Sequence, residues 1–114
     1  MPAATPPDVL MVFTTLETAE AARRFVRRLV DDHVVACGTL LPDATSVYRW
    51  EGAVTEAAEV VVILKTTRDC WDALVEAVNQ HHPYRVPELL AVPVAIGLPP
   101  YLAWVRAETT GGQA

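Results

Sequence analysis

The chain is 114 residues long, which is enough for one domain. Hydrophobic residues make up 52% of it and charged residues 20%, a balance that supports a packed core and excludes a disordered polar chain. The formal net charge of −5 disfavours non-specific binding to nucleic acid or to anionic membranes, so we expect neither as a partner.

The chain begins with a proline-rich stretch, residues 1–7, that we expect to be a disordered tail. This stretch has no basic region, and the apolar run at residues 9–13 is too short for a signal sequence. No run of apolar residues approaches the length that crosses a bilayer. Cys37 and Cys70 form no C-x-x-C pair and no disulfide framework. These observations predict a reduced, cytoplasmic protein.

Residues 8–14 are almost continuously apolar and predict a central strand that is buried on both faces. Thr14 and Glu17 have capping-box spacing, which predicts that a helix starts directly after this strand. The helix has one apolar stripe and an arginine-rich opposite face, which acidic residues flank and which we interpret as solvated. The stripe contains Ala22, Phe25, Val26, Leu29 and Val30, and the arginines are Arg23, Arg24, Arg27 and Arg28.

A long β-hairpin is predicted next. Residues 34–41 are rich in β-branched side chains and predict a strand, which residues 42–43 kink or bulge. Residues 46–50 then alternate as a strand does, and residues 51–52 are a plausible hairpin turn. Residues 59–66 form the returning strand, which we expect to be buried.

The second half of the chain repeats the helix and strand. Thr66 and Asp69 again have capping-box spacing, and the helix that follows ends before Pro83, since proline cannot continue it. Residues 88–95 predict a last strand, in which Pro93 indicates a sheet edge or a strand end. Pro99-Pro100 begins a short terminal helix. The apolar stripe of the second helix contains Trp71, Leu74, Val75 and Val78.

The predicted order, β-α-β-β-α-β with a terminal helix, is typical of an α+β fold of the ferredoxin-like type. We expect one domain at residues 8–109 and a frayed tail at residues 110–114. Two cysteines are too few for an iron–sulfur cluster, and they are too far apart for the paired thiolates of a heavy-metal transport domain. No nucleophile, acid and base can be assembled, so the sequence predicts a binding protein rather than an enzyme.

The candidate metal ligands are soft or borderline side chains. His82, at the end of the second helix, and Glu88 can supply imidazole and carboxylate ligands to copper or zinc. The alternative is that the histidine interacts only with the last carbonyl groups of its helix. Cys37 is either a soft ligand or a small buried hydrophobic residue.

Other side chains suggest a cleft for a ligand. Lys65 closes a strand, where it can pair with an anion or simply be solvated. Tyr48 and Trp50 lie beside the hairpin turn, and two large aromatic side chains there predict burial against another subunit.

Four stretches then show a family resemblance. They are VACGTLLPDATSVYRWEG at residues 35–52, VVVILKTTR at 60–68, HPYRVPELLAVPV at 82–94 and YLAWV at 101–105. In this order and spacing they resemble the signature stretches of the CutA (divalent-cation tolerance) family. The resemblance covers residues 9–108, and a chance match of four ordered motifs is very improbable.

The resemblance implies a homotrimer of ferredoxin-like subunits whose long hairpins complete sheets across subunit boundaries, similar to the PII signalling proteins. It also implies a connection with copper, so that Cu²⁺ or another divalent cation is the expected cofactor, although not one required for folding. The positions that match the family's cleft are Cys37, Tyr48, Trp50, Lys65, His82, Tyr84, Pro87 and Glu88.

Arg85 departs from the family pattern, which has an acidic residue at this place. A guanidinium repels a nearby metal ion and favours an anion, either a carboxylate of a neighbouring subunit or a ligand. From sequence we favour the ion pair between subunits.

Two functional hypotheses follow. The first is a metal-binding tolerance protein that uses Cys37, His82 and Glu88 as ligands. The second is a PII-like regulatory module that binds a small anion through Lys65, Arg85 and the aromatic residues Tyr48, Trp50 and Tyr84.

Overall fold

A computed structural model describes residues 8–111 of the protein. The tail predicted at residues 1–7 lies outside this part of the chain, as do residues 112–114 of the tail predicted at residues 110–114. Four strands form one antiparallel sheet in the order β2-β3-β1-β4, which confirms the predicted ferredoxin-like plan. The elements are β1 (Val9–Leu16), α1 (Ala19–Asp31), β2 (Cys37–Trp50), β3 (Ala53–Thr67), α2 (Trp71–His81), β4 (Leu90–Pro93) and α3 (Pro99–Glu108), with a short 3₁₀ turn at Arg68–Cys70.

The main core lies between the sheet and the helices α1 and α2. Alternate residues of β1 and β3, such as Val12 and Leu64, point to this side and are fully buried. Leu29 of α1 and Leu74 of α2 pack against them. Burying a side chain of this size stabilises the fold by about 2 kcal/mol, so this layer holds the helices to the sheet. Within residues 8–111, no helix is both long and apolar enough to cross a membrane.

The other side of the sheet is only partly covered. α3 packs over one end of it, where Val105 contacts Val9 and Ala36. Arg106 of α3 donates two hydrogen bonds to the carboxylate of Asp8, at 2.7 and 3.0 Å, and so fastens the helix to the start of β1. The rest of this side, which we call the open face, presents the alternate apolar side chains of the four strands. They are Phe13, Leu41, Val61, Ile63, Leu90 and Val92.

The open face also corrects the prediction that β1 is buried on both faces. In β1, the residues that point to the helices are buried, but Met11 and Phe13, on the open face, are only half-buried. Opposite them in β4, Leu90 and Val92 are 61% and 48% exposed. A single chain therefore leaves apolar surface in contact with water.

The first predicted helix start is wrong. β1 does not end at Thr14. Its ladder with β3 continues for two more residues, to Leu16, which pairs with Val60. Thr14 is therefore a buried strand residue. The hydroxyl of Thr18 caps α1 instead and accepts a hydrogen bond from the backbone N–H of Ala21 at 3.1 Å.

The predicted apolar stripe of α1 needs one correction. Ala22, Phe25, Val26 and Leu29 are buried as expected. Val30, in contrast, is 37% exposed, because it lies at the rim of the buried face.

The second predicted capping box is also wrong. Thr66 is a fully buried residue of β3, and its hydroxyl donates to the carbonyl oxygen of Val34 at 2.6 Å. A 3₁₀ turn intervenes, so that α2 begins at Trp71 without a side-chain cap. The capping-box spacing is a local signal, and tertiary hydrogen bonding has overridden it.

The hairpin confirms its two predicted irregularities. The pairing of β2 with β3 shifts register between Leu41 and Ala44, and Asp43 has a φ of 63° there, which is the expected bulge. Glu51 and Gly52 have φ values of 49° and 84°, so both central residues of the turn adopt the left-handed conformation that tight hairpins prefer.

β3 is longer than its neighbour β1. It begins at Ala53 rather than at residue 59, whereas β1 pairs only with residues 60–67. Residues 53–59 pair with β2 on one side, and no strand within residues 8–111 pairs with their other edge. The hairpin therefore projects beyond the rest of the sheet and leaves a notch where β1 ends.

Gly38 makes a close contact that yields a test of this packing. A Cβ at this position would lie 2.6 Å from Cγ1 of Val26 and 2.9 Å from Cδ2 of Leu64. The stiff side chain of Val26 gives way poorly, so we expect Gly38→Ala to lower the free energy of unfolding by about 1–3 kcal/mol. Chemical denaturation at matched protein concentration measures it, with Arg27→Ala on the exposed side of α1 as the control. Equal losses in the two variants would contradict this packing argument.

Candidate functional site

A groove of about 760 Å³ occupies the notch beyond the end of β1. One wall is the projecting part of the hairpin, and the other is the segment between α2 and β4. Its lining includes three aromatic rings, three carboxylates and one guanidinium. These belong to Tyr48, Trp50 and Tyr84, to Glu17, Glu59 and Glu88, and to Arg85.

His82 anchors the segment that forms the second wall. α2 ends at His81, and His82 turns into an extended conformation with its ring buried against Phe25, at 5.6 Å between ring centroids. Nε2 lies 2.9 Å from the carbonyl oxygen of Thr15, and Nδ1 lies 3.2 Å from the backbone nitrogen of Tyr84. The carbonyl needs a donor and the N–H needs an acceptor, so the ring is neutral with its proton on Nε2.

The surroundings of His82 favour this neutral form. Burial lowers the pKa of His82, and the carbonyl of Thr15 and the carboxylate of Glu59 oppose the shift only in part. Both ring nitrogens already have partners in the same chain. A metal ion at His82 would have to displace one of these partners. Within the chain, His82 is therefore a structural residue that holds the second wall of the groove in place.

Tyr84 and Glu59 join the two walls of the groove. The hydroxyl of Tyr84 donates to Oε2 of Glu59 at 2.7 Å. Burial opposes ionisation of Glu59, but hydrogen bonds from Ser46, Tyr84 and Thr15 outweigh it, so the pKa of Glu59 lies below its ordinary value. Burial and the Glu59 carboxylate raise the pKa of Tyr84. Glu59 is therefore a fixed anion and Tyr84 a fixed donor at neutral pH.

Arg85 follows directly and lies over Trp50. Its guanidinium carbon is 5.7 Å from the centroid of the indole ring, a cation–π contact worth about 0.5–1 kcal/mol at an exposed site. In the part of the chain that the structure describes, no carboxylate lies within 4.0 Å of this guanidinium. The contact with Trp50 holds the guanidinium in the groove without neutralising it.

The structure brings most of the predicted cleft residues together. Tyr48, Trp50, Tyr84, Arg85 and Glu88 all line the groove. Lys65 does not, because it lies on the open face across the β2–β3 ladder from Cys37.

The predicted metal ligands are not brought together within one chain. The sulfur of Cys37 is 3.6 Å from the hydroxyl of Tyr101 on the open face, His82 is buried behind the groove, and Glu88 is exposed on its lining. Residues 8–111 contain no group of three or more His, Cys, Asp and Glu side chains suited to hold a metal ion. A metal site that combines residues of several chains remains a prediction.

Two groove residues were missed by the sequence analysis as site residues. Glu17 appeared there only as a capping residue, and Glu59 only as the start of a strand. Glu59 is the charged residue that begins the otherwise apolar run EVVVILK. A charged side chain next to a buried run is uncommon, and this could have marked Glu59 as a candidate site residue. Its partner Tyr84 is 25 residues away, however, so the pair is visible only in the fold.

The fold and groove define a class: a ferredoxin-like α+β domain with a projecting hairpin and a charged groove at its base. The family model for the CutA1 divalent ion tolerance protein matches residues 10–108. The divalent-cation tolerance protein CutA of Thermus thermophilus is 40% identical over 99 residues, which are 87% of this chain and 96% of that protein. The chain belongs to the CutA1 divalent ion tolerance family.

Solved structures agree with this assignment. The crystal structure of CutA from Xylella fastidiosa superposes with a TM-score of 0.87 at 38% identity, covering 90% of this chain and 98% of that one. CutA1 from Oryza sativa gives a TM-score of 0.87 at 36% identity, with 93% and 97% covered. The recognition of the family from four motifs is thus confirmed.

The buried His82 predicts a specific acid sensitivity. Because its pKa is lower in the folded protein than the ordinary value of about 6.5, the unfolded chain binds the proton more readily. Stability should therefore fall as the pH falls through 6.5 towards the lower folded-state pKa, and should be fully present above this window.

The test compares His82→Gln with His81→Gln, which changes the exposed neighbouring histidine. Chemical denaturation between pH 8 and pH 5 should show a flatter pH dependence for His82→Gln only, together with a lower stability at pH 8. The same pH dependence in wild type and His82→Gln would show that His82 is not the group responsible.

Proposed function

We propose that the protein contributes to divalent-cation tolerance as a homotrimer in which the groove, completed by a neighbouring subunit, binds a small anionic ligand as a PII-like regulatory module does. The role is one of binding rather than catalysis. Membership of the CutA1 family supports the connection with divalent cations. The observation that supports the ligand is the guanidinium of Arg85, which lies in the groove without a carboxylate partner among residues 8–111.

Two surfaces support the assembly of several chains. The open face exposes Leu41, Leu90 and Val92, and a row of apolar side chains on a small protein is typical of an interface. The outer edge of β2, at the end of the sheet, presents backbone groups that another strand can pair with, and such pairing leaves the notch beyond β1 open. A second copy of the chain covers both kinds of surface without requiring a different partner.

The geometry of Arg85 suits an anion. The guanidinium carbon lies over the ring of Trp50, and no carboxylate among residues 8–111 pairs with the guanidinium N–H groups, which can therefore donate to a ligand. A planar guanidinium matches a carboxylate or a phosphate with two parallel hydrogen bonds. The ligand therefore needs at least one such group.

Direct binding of Cu²⁺ is a second candidate, which the acidity of the groove favours. Carboxylates outnumber the guanidinium by three to one, so the local field attracts cations. Glu88 is the predicted metal ligand that lies in this field. Cys37 and His82 belong to this proposal only as ligands contributed across a subunit boundary.

The trimer has a direct test on the open face. We expect light scattering to give three times the 12.4 kDa chain mass for the wild type. Leu90→Lys places a charge within the proposed interface and should shift the mass towards that of the monomer. Asn79→Lys, at an exposed position of α2, is the control and should leave the mass unchanged. A folded wild-type monomer at micromolar concentration would overturn the assembly.

The two ligands can be separated by titration calorimetry with inorganic phosphate and with Cu²⁺. Arg85→Gln should weaken phosphate binding about tenfold, because hydrogen bonds to a charged group are lost, and should not weaken copper binding. Glu88→Gln should weaken copper binding. Arg27→Gln, which removes an exposed arginine of α1, is the matched control.

Each outcome bears on one ligand. Equal phosphate affinity in wild type and Arg85→Gln would exclude the anion site at Arg85. Equal copper affinity in wild type and Glu88→Gln would exclude Glu88 as a copper ligand.

A further inference from the structure

We infer that the ligand of the groove is a small zwitterion, a molecule with an ammonium group at one end and a carboxylate at the other. The inference rests on the proposed function for the anionic end and adds the cationic end. It concerns the same groove, and it names the chemical class of the ligand.

Opposite charges line the groove without pairing. Arg85 and the carboxylates of Glu17 and Glu88 all contribute to its wall. Among the residues that the structure describes, no ion pair within 4.0 Å joins this guanidinium to any of these carboxylates. The groove therefore presents to a ligand positive and negative groups that are not paired with each other.

The separation has a structural cause. Arg85 is drawn onto the face of Trp50, at 5.7 Å, on the hairpin wall. Glu59 is engaged by the hydroxyl of Tyr84 at 2.7 Å and remains ionised. Arg85 and Glu59 are each held by an aromatic side chain, which keeps these two charges from pairing with each other.

A ligand with a single charge meets repulsion in such a groove. An anion at Arg85 comes near a lining in which carboxylates are in the majority, and a cation at the carboxylates comes near Arg85. A zwitterion places each charge beside its opposite and avoids both penalties.

The aromatic rings favour an organic cation at the negative end. Tyr48 and Tyr84 line the groove together with Trp50, and Tyr48 and Trp50 are 42% and 41% exposed. Aromatic faces attract ammonium groups, and the alkyl part of such a ligand gains from contact with the same rings. A hydrated metal ion would use the carboxylates alone.

The test uses probes that differ only in charge. Calorimetry in metal-free buffer compares ω-amino acids of two, four, six and eight carbons with the alkylamine and the alkanoate of the same length. Because the separation of the charges selects one length, we expect one amino acid to bind about tenfold more tightly than either singly charged probe of its length. In Arg85→Gln this advantage should disappear and leave the affinity of the amine. In Glu88→Gln the advantage should shrink, and in Arg27→Gln it should be unchanged.

The outcomes distinguish this inference from the proposed function. If the alkanoate binds as tightly as the best amino acid and loses affinity in Arg85→Gln, the anion site stands and the zwitterion is wrong. If the amine binds equally well and Arg85→Gln has no effect, both proposals are wrong. If no probe binds to protein whose assembly and thermal unfolding are normal, the zwitterion is wrong, and the phosphate titration decides on the anion site independently.

Discussion

The length difference between β1 and β3 is the constraint on which the rest of the structure depends. β1 stops at Leu16 because the chain must turn into α1, whose first turn Thr18 caps. β3 continues to Ala53 in the other direction, where β2 is the one strand within residues 8–111 that pairs with it. This difference creates the notch, and with it the groove, the free strand edge and the projecting hairpin. A β1 strand that continued along β3 would have filled the site with its own backbone.

The groove depends on the helical layer through His82. The ring is buried beside Phe25, yet its two nitrogens bond to the end of β1 at Thr15 and to the start of the groove wall at Tyr84. A neutral imidazole suits this position, since it offers one donor and one acceptor in fixed directions. The placement of Arg85 and Glu88 thus follows from packing inside the domain, and the charged groups are free to face a ligand.

Much of this arrangement could be predicted from the sequence, because periodicity and turn residues are local. The element order, the bulge at Asp43 and the turn at Gly52 were all expected, and the motif residues near Trp50 and Tyr84 do line one groove. The helix starts were not, because Thr14 belongs to a ladder whose length is set by a distant strand. The sequence also could not predict that Cys37 lies away from the groove. The alternation of side chains shows which strand residues share a face, but the pairing of the strands decides which face that is.

Arg106 and Asp8 hold α3 over one end of the open face, so the two ends of this face differ. At one end Val105 already covers Val9, and at the other the apolar strands continue into the free hairpin. A chain that stacks on this face therefore meets a barrier in one direction and none in the other. Such a chain could not slide towards α3, so the covered end of the sheet limits how far any partner can extend across this face.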